Sequence, residues 1–134
     1  MRREQRLRRG VDFERVRANR KSWAHPLIVC YERERDDPGP TRVGIVVGRR
    51  VGKAATRNRV KRRIREAARS IYPQLDSGYD LIVIARQPAA EASLAQLTEA
   101  LLSVLPRMNS GRRLRKAAVA TPPSYQAPNR KDVG

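Results

Sequence analysis

Between Arg57 and Arg69, seven of thirteen residues are Lys or Arg, yet the run is spaced like a folded helix. Val60, Ile64, Ala67, Ala68 and Ile71 recur at three- and four-residue intervals, so one helical face is apolar. A charge block without such a stripe reads as a solvated tail. This one has a face for a core, and the rest presents cations. Asn58, Arg62, Arg65 and Arg69 fall opposite the stripe, with Arg57 and Lys61 on one flank. Thr56 is placed to N-cap the helix through its hydroxyl. The helix ends near Tyr72-Pro73, because proline disfavours a helical residue before it. Like charges on one helix repel by about 0.2–0.5 kcal/mol per i,i+4 pair. Only Glu66 offsets them within the run, so the arrangement implies an anionic partner.

The whole chain points to the same partner. Its 134 residues carry 30 Lys+Arg against 13 Asp+Glu, a net charge of +17, which favours a polyanion. Arginine dominates the cations, and guanidinium groups bind phosphate bidentately and stack on bases. The length fits one domain with a modest core. No apolar run is long enough to span a membrane. Basic Met1–Arg9 is not followed by an apolar stretch, so no signal peptide is expected. The single cysteine, Cys30, excludes an internal disulfide and a cysteine-based zinc site. A cytoplasmic protein is expected.

Residues 1–10 read as a basic N-terminal segment, poorly ordered until bound. Asp12 can cap a short helix from Phe13 to about Asn19, with Phe13 and Val16 on a shared face. Residues 26–34 form a strand, with Leu27, Val29 and Tyr31 on one face and Ile28 and Cys30 on the other. The turn chemistry of Arg35–Pro40 leads to a second strand over 41–48, which suggests an antiparallel hairpin. A short strand near Ser22–Ala24 is weakly signalled. The basic loop Arg49–Lys53 runs into the cationic helix. Asp80–Ala85 is apolar almost throughout and is expected at the centre of the sheet. Ser93 and Gln96 fit a capping box that opens a last helix with Leu94, Leu97, Leu101, Val104 and Leu105 as its stripe. The domain then covers 11–107, and 108–134 reads as a disordered basic tail. These elements make an α+β layer with helices against a small mixed sheet.

Protein-borne chemistry finds little support. His25 is the only histidine and sits at a strand start, where no Ser–His–Asp or His–Cys set can be assembled. Cys30 on an apolar strand face reads as an inert core thiol. The acids Glu32, Glu34, Asp36, Asp37, Asp76 and Asp80 read as strand or solvated turn residues, not as ligands of a two-metal nuclease. No metal site is expected in the protein. Lys53-Ala54 breaks the nucleotide-binding GxxxxGK[ST] pattern. The loop Arg49, Arg50, Lys53 adjoins Arg57, Asn58 and Arg59 at a helix N-terminus, which suits phosphate. No dimerising heptad or second helix supports a DNA reader, so RNA backbone and shape are favoured.

Thr56-Arg57-Asn58-Arg59-Val60-Lys61-Arg62-Arg63-Ile64-Arg65-Glu66-Ala67 resembles the RNR signature helix of the bacterial ribonuclease P protein family. Arg6–Arg9 with Asp12-Phe13, Val43–Val47 with Arg49–Ala54, and Asp80–Arg86 extend the resemblance over about residues 6–105. It implies a two-layer αβββαβα sandwich with a left-handed βαβ crossover, like the second domain of ribosomal protein S5. It implies an accessory subunit of a ribonucleoprotein endonuclease that removes the 5′ leader of precursor tRNA. A catalytic RNA would carry the active centre and most of the Mg2+, with the protein a monomer bound 1:1. The matching RNA-binding positions are Arg49, Arg50, Lys53, Arg57, Asn58, Arg59, Lys61, Arg62, Arg63, Arg65 and Arg69. Phe13, Val29 and Tyr31 match a cleft for the single-stranded leader. Arg17 stands where the family often has a second aromatic, so guanidinium stacking or phosphate contact would replace ring stacking there. Gly48-Arg49-Arg50 keeps the charge of the family's Ser-Lys-Lys and loses its hydroxyl. The alternative is a non-catalytic RNA-binding or ribosome-associated basic protein.

Overall fold

The computed structural model describes residues 1–119. The elements run α1 (Gly10–Ala18), β1 (Ser22–Ala24), β2 (Ile28–Glu34), β3 (Arg42–Val46), α2 (Ala54–Ile71), β4 (Tyr79–Ala85), α3 (Leu94–Val104) and α4 (Arg112–Val119). Through α3 this is the αβββαβα order, on a mixed four-stranded sheet.

The sheet order is β1-β2-β4-β3, so the expected hairpin of β2 with β3 does not form. Instead β4 lies between them, antiparallel to β2 (Tyr31 opposite Ile82) and parallel to β3 (Gly44 opposite Ile82). The reason is burial. β4 is apolar on both faces and is buried along nearly its whole length, so only a central position covers it. Helix α2 then makes the crossover between the parallel strands β3 and β4.

The Arg35–Thr41 connection must therefore pass the end of β4, and charge organises it. Arg35 donates to the backbone carbonyls of Pro40 and Tyr79 and to the carboxylates of Asp37 and Asp80, at 2.8–3.2 Å. Arg42 donates twice to Asp80, at 2.7 and 2.8 Å. Asp80 is fully buried, which corrects its reading as a solvated turn acid. It is the counter-ion that joins the starts of β3 and β4, and three arginines distant in sequence neutralise it, Arg33 lying at 3.9 Å.

One face of the sheet carries the main core. Ile28 and Cys30 of β2 and Leu81 and Val83 of β4 pack with Val60, Ile64, Ala67, Ala68 and Ile71 of α2 and Leu97, Leu101 and Val104 of α3. The whole α2 stripe is buried as its spacing predicts. Leu94 is the exception in α3: it stays exposed in the first turn, while the Ser93–Gln96 capping box forms as expected. A smaller cluster lies on the other face, under α1. It consists of Leu7, Val16 and Ile82, flanked by half-buried Phe13, Tyr31, Val46 and Ile84.

Four boundaries differ from expectation. Helix α2 starts at Ala54 after Lys53, and no side chain caps it; Thr56 instead packs against Gly52. Gly52 holds φ at +153°, where a side chain would be strained and would also press on Thr56. Asp12 lies inside the first turn of α1, buried and paired to Arg42 at 3.5 Å. The N-terminal segment is part of the domain: Leu7 is buried and donates its N–H to the Val43 carbonyl at 3.0 Å, along the free edge of β3. The domain also continues past 107, because Met108 and Leu114 are buried and α4 follows. Of the tail expected to lack structure, residues 120–134 lie outside the described residues.

Candidate nucleic-acid interface

The buried acids of this protein are spent inside it. Asp80 and Asp12 are taken up by arginines in the fold, and Glu32 is buried against backbone amides. The cations of α2 and its leading loop are left over. Arg49, Arg50, Lys53, Asn58, Arg59, Lys61, Arg62, Arg65 and Arg69 are all exposed. Among the described residues, Arg49, Arg50, Lys53, Lys61, Arg62 and Arg65 make no ion pair and no side-chain hydrogen bond. The others are partly engaged. Arg69 bonds Glu66 at 3.0 Å, and Arg59 reaches the Ala90 carbonyl at 3.3 Å.

Two members of the sequence-derived set differ in kind. Arg63 is half-buried and donates to the Ala92 carbonyl at 2.8 Å, so it ties α2 to the segment before α3. Arg57 is half-buried at the first turn, and its Nε is enclosed with no partner among the described residues. The first N–H groups of α2 also lack a side-chain cap. Uncapped amides and the positive end of the helix dipole therefore face the same side as the loop cations, a combination that attracts phosphate.

The second candidate region is the sheet face beside α1. Val29 pairs across the ladder with Ile84, and Tyr31 with Ile82, so they share that face. Phe13 lies against the backbone of Gly44: a Cβ there would sit 2.5 Å from the ring. Glycine at 44 is thus what seats the aromatic. Arg17 is exposed on α1, four residues after Phe13 and on the same side of the helix. Phe13, Val29 and Tyr31 stay half-buried, an apolar floor with a cationic rim.

Sequence reasoning separated these two regions, and the structure joins them. A groove of about 370 Å³ runs between the N-terminal segment, the edge of β3 and α2. Phe13, Leu7 and Gly44 line it on one side, Lys61 and Arg65 on the other, and Arg6 and Arg8 lie at its margin. Arg6 and Arg8 were missed as site residues because their segment was expected to be unordered. Leu7, a lone apolar residue among arginines, was the available signal.

Gly44→Ala tests the seating of Phe13. The added methyl must displace the ring, at a cost of roughly 1–3 kcal/mol, read as a lowered melting temperature together with altered Phe13 packing. An unchanged melt would show that the ring moves freely.

Among the described residues, neither Cys30 nor His25 is set up as a nucleophile or base. Burial, aided by Glu32, pushes the Cys30 thiol up to about 12, which leaves it protonated and unreactive at neutral pH. His25 accepts the Leu27 N–H at 3.0 Å, and desolvation followed by Arg107 and Arg86 lowers its pKa. Among the described residues, no helix is long and apolar enough to cross a membrane.

Comparison with known proteins agrees with this geometry. The family model described as Ribonuclease P matches residues 1–109, which include β3, the basic loop and α2. The chain belongs to the ribonuclease P protein family. The role that goes with membership is that of a protein component of ribonuclease P, a tRNA-processing ribonucleoprotein. The Ribonuclease P protein component of Bacillus anthracis is 33% identical over 119 residues, covering 89% of this chain and 98% of that one. That of Bacillus cereus strain AH187 is 33% identical over 107 residues, covering 80% and 93%. The RNase P protein of Staphylococcus aureus superposes with a TM-score of 0.72 at 32% identity, covering 79% of this chain and 96% of that one. The RNase P protein from Thermotoga maritima gives 0.69 at 32%, covering 78% and 97%.

Proposed function

We propose that this chain acts in the cytoplasm as the accessory protein of a ribonucleoprotein endonuclease that removes the 5′ leader of precursor tRNA. A catalytic RNA carries the chemistry, and one protein binds one RNA. The observation that supports this reading most is the set of exposed, unpaired cations on α2 and its leading loop, beside a half-buried apolar cleft. The helix and loop hold RNA phosphates. The Phe13–Val29–Tyr31 floor, with Arg17 at its rim, receives single-stranded leader bases by stacking and apolar contact. The groove lined by Lys61 and Arg65 lets one strand pass between the two.

Electrostatics supplies the mechanism. A rigid display of cations lowers the repulsion between two polyanions, the catalytic RNA and its substrate. Mg2+ belongs with the RNA. The protein's interface is cationic, Glu66 is engaged by Arg69, and both oxygens of Asp80 accept from arginines, so this donor set does not fit a protein-held divalent ion.

Reconstitution tests the reading. Precursor tRNA cleavage at limiting Mg2+ requires this protein and its cognate RNA together. Cleavage by the protein alone would contradict it, and failure to stimulate the RNA would favour a ribosome-associated or other RNA-binding role. Phe13→Ala weakens leader-bearing substrate binding by roughly 1–3 kcal/mol, the value of one stacked base, and leaves mature tRNA unaffected. Equal losses for both would place Phe13 among purely structural residues.

A further inference from the structure

Helix α4 lies beyond residue 109, where the match to the family model ends. The chain nevertheless invests buried groups in fixing it. Glu32, 1% exposed on the helix-covered face of β2, accepts the N–H of Ser110 at 2.6 Å and that of Asn109 at 3.3 Å. The Ser110 carbonyl accepts the Asp76 N–H at 2.9 Å. Met108 and Leu114 are buried in the main core. At Gly111 the backbone passes so near the Leu105 carbonyl that a Cβ would overlap its oxygen, so only glycine fits.

This anchoring fixes which side of α4 faces out. Leu114 points inward, and at about 100° per residue Arg112, Arg113 and Arg115 fall within an arc on the opposite side. All three are exposed, and among the described residues none makes an ion pair or a side-chain hydrogen bond. The Asp76 N–H bond to the Ser110 carbonyl places the approach to α4 by the connection that follows the C-terminal end of α2. The basic loop precedes the other end of α2, and an 18-residue helix is about 27 Å long.

We propose that Arg112, Arg113 and Arg115 form a second RNA-binding surface, which grips a stretch of the catalytic RNA's backbone separate from the one held by the basic loop and α2. This rests on the subunit role proposed above. The surface carries the same chemistry as the α2 face, guanidinium groups without a partner among the described residues on an anchored helix, and complements phosphate in the same way. Glu32 acts as a positioning residue: it holds the start of α4 without touching RNA.

The test uses the full chain with its cognate catalytic RNA. The Arg112→Gln/Arg113→Gln/Arg115→Gln protein is expected to keep the wild-type melting temperature. It should bind the RNA roughly ten- to a hundredfold more weakly at moderate salt, with a salt slope smaller by about two to three units. An unchanged slope overturns the proposal. A second measurement is independent of affinity. Because Cys30 is buried, an iron chelate attached through Arg113→Cys is the sole label. Its hydroxyl radicals should cut the RNA at positions different from those cut from Lys61→Cys. No cuts, or the same cuts, would overturn the second surface while leaving the subunit role standing. If the wild-type protein fails to bind the catalytic RNA at all, the subunit role falls and this proposal falls with it.

Discussion

Asp80→Ala is expected to destabilise the fold by roughly 3–5 kcal/mol, the cost of breaking a buried ion pair from one side. Asp80 is fully buried, and its oxygens accept from Arg35 at 2.8 Å and from Arg42 at 2.7 and 2.8 Å. Removing it leaves Arg35, whose side chain is 9% exposed, facing the end of the sheet without its internal counter-ion. The connection from β2 to β3 loses its organising centre, because Arg35 also holds the Pro40 and Tyr79 carbonyls. Chemical denaturation measures the loss. Asp80→Asn should recover part of it, since an amide oxygen still accepts from Arg42. A wild-type melt for Asp80→Ala would mean that the arginines are satisfied by solvent and that the cluster contributes nothing.

Lys61→Gln/Arg62→Gln/Arg65→Gln is expected to leave folding intact and to weaken binding to the catalytic RNA by roughly a hundredfold at moderate salt. All three are exposed and have no partner among the described residues, so the core does not depend on them. Stability should even rise slightly, because like-charge repulsion along α2 is relieved. Arg63→Gln should behave differently. Its bond to the Ala92 carbonyl holds α2 against the segment before α3, so its first effect is on stability. Measuring melting and RNA affinity for both proteins separates the residues that display charge from the one that fixes the helix.

The contrast between Arg62 and Asp80 shows what a sequence can reveal here. Helix α2 was legible because its apolar spacing is local and helical, and the cations fall where that spacing leaves them. The central place of β4 was legible because a strand apolar on both faces has no other stable position. The pairing of β2 and β3 was not. Nearness in sequence favoured a hairpin, and only the burial demand of β4 inserts that strand between them. Asp80 and Glu32 look like ordinary acids in the sequence because their partners are remote. Arg35, Arg42 and the amides of Asn109 and Ser110 meet them only in three dimensions. The groove was hidden for a similar reason. Leu7 anchors the N-terminal segment to the edge of β3, and this brings Arg6 and Arg8 to the groove that Lys61 and Arg65 also line. A resemblance to a known family supplied the cleft residues Phe13, Val29 and Tyr31, whereas Gly44, which seats Phe13, emerged only from the packing.

The central claim is that the exposed cations of α2 and its leading loop meet RNA phosphates. The most direct measurement is the affinity of the wild-type protein for its catalytic RNA across a series of monovalent salt concentrations. If about five of those cations engage phosphates, they alone should contribute roughly −4 to the slope of log K against log salt, with the arginines of α4 adding to it. The Lys61/Arg62/Arg65 glutamine protein should be shallower by about three units. A wild-type slope near zero, or the same slope in both proteins, would contradict the account.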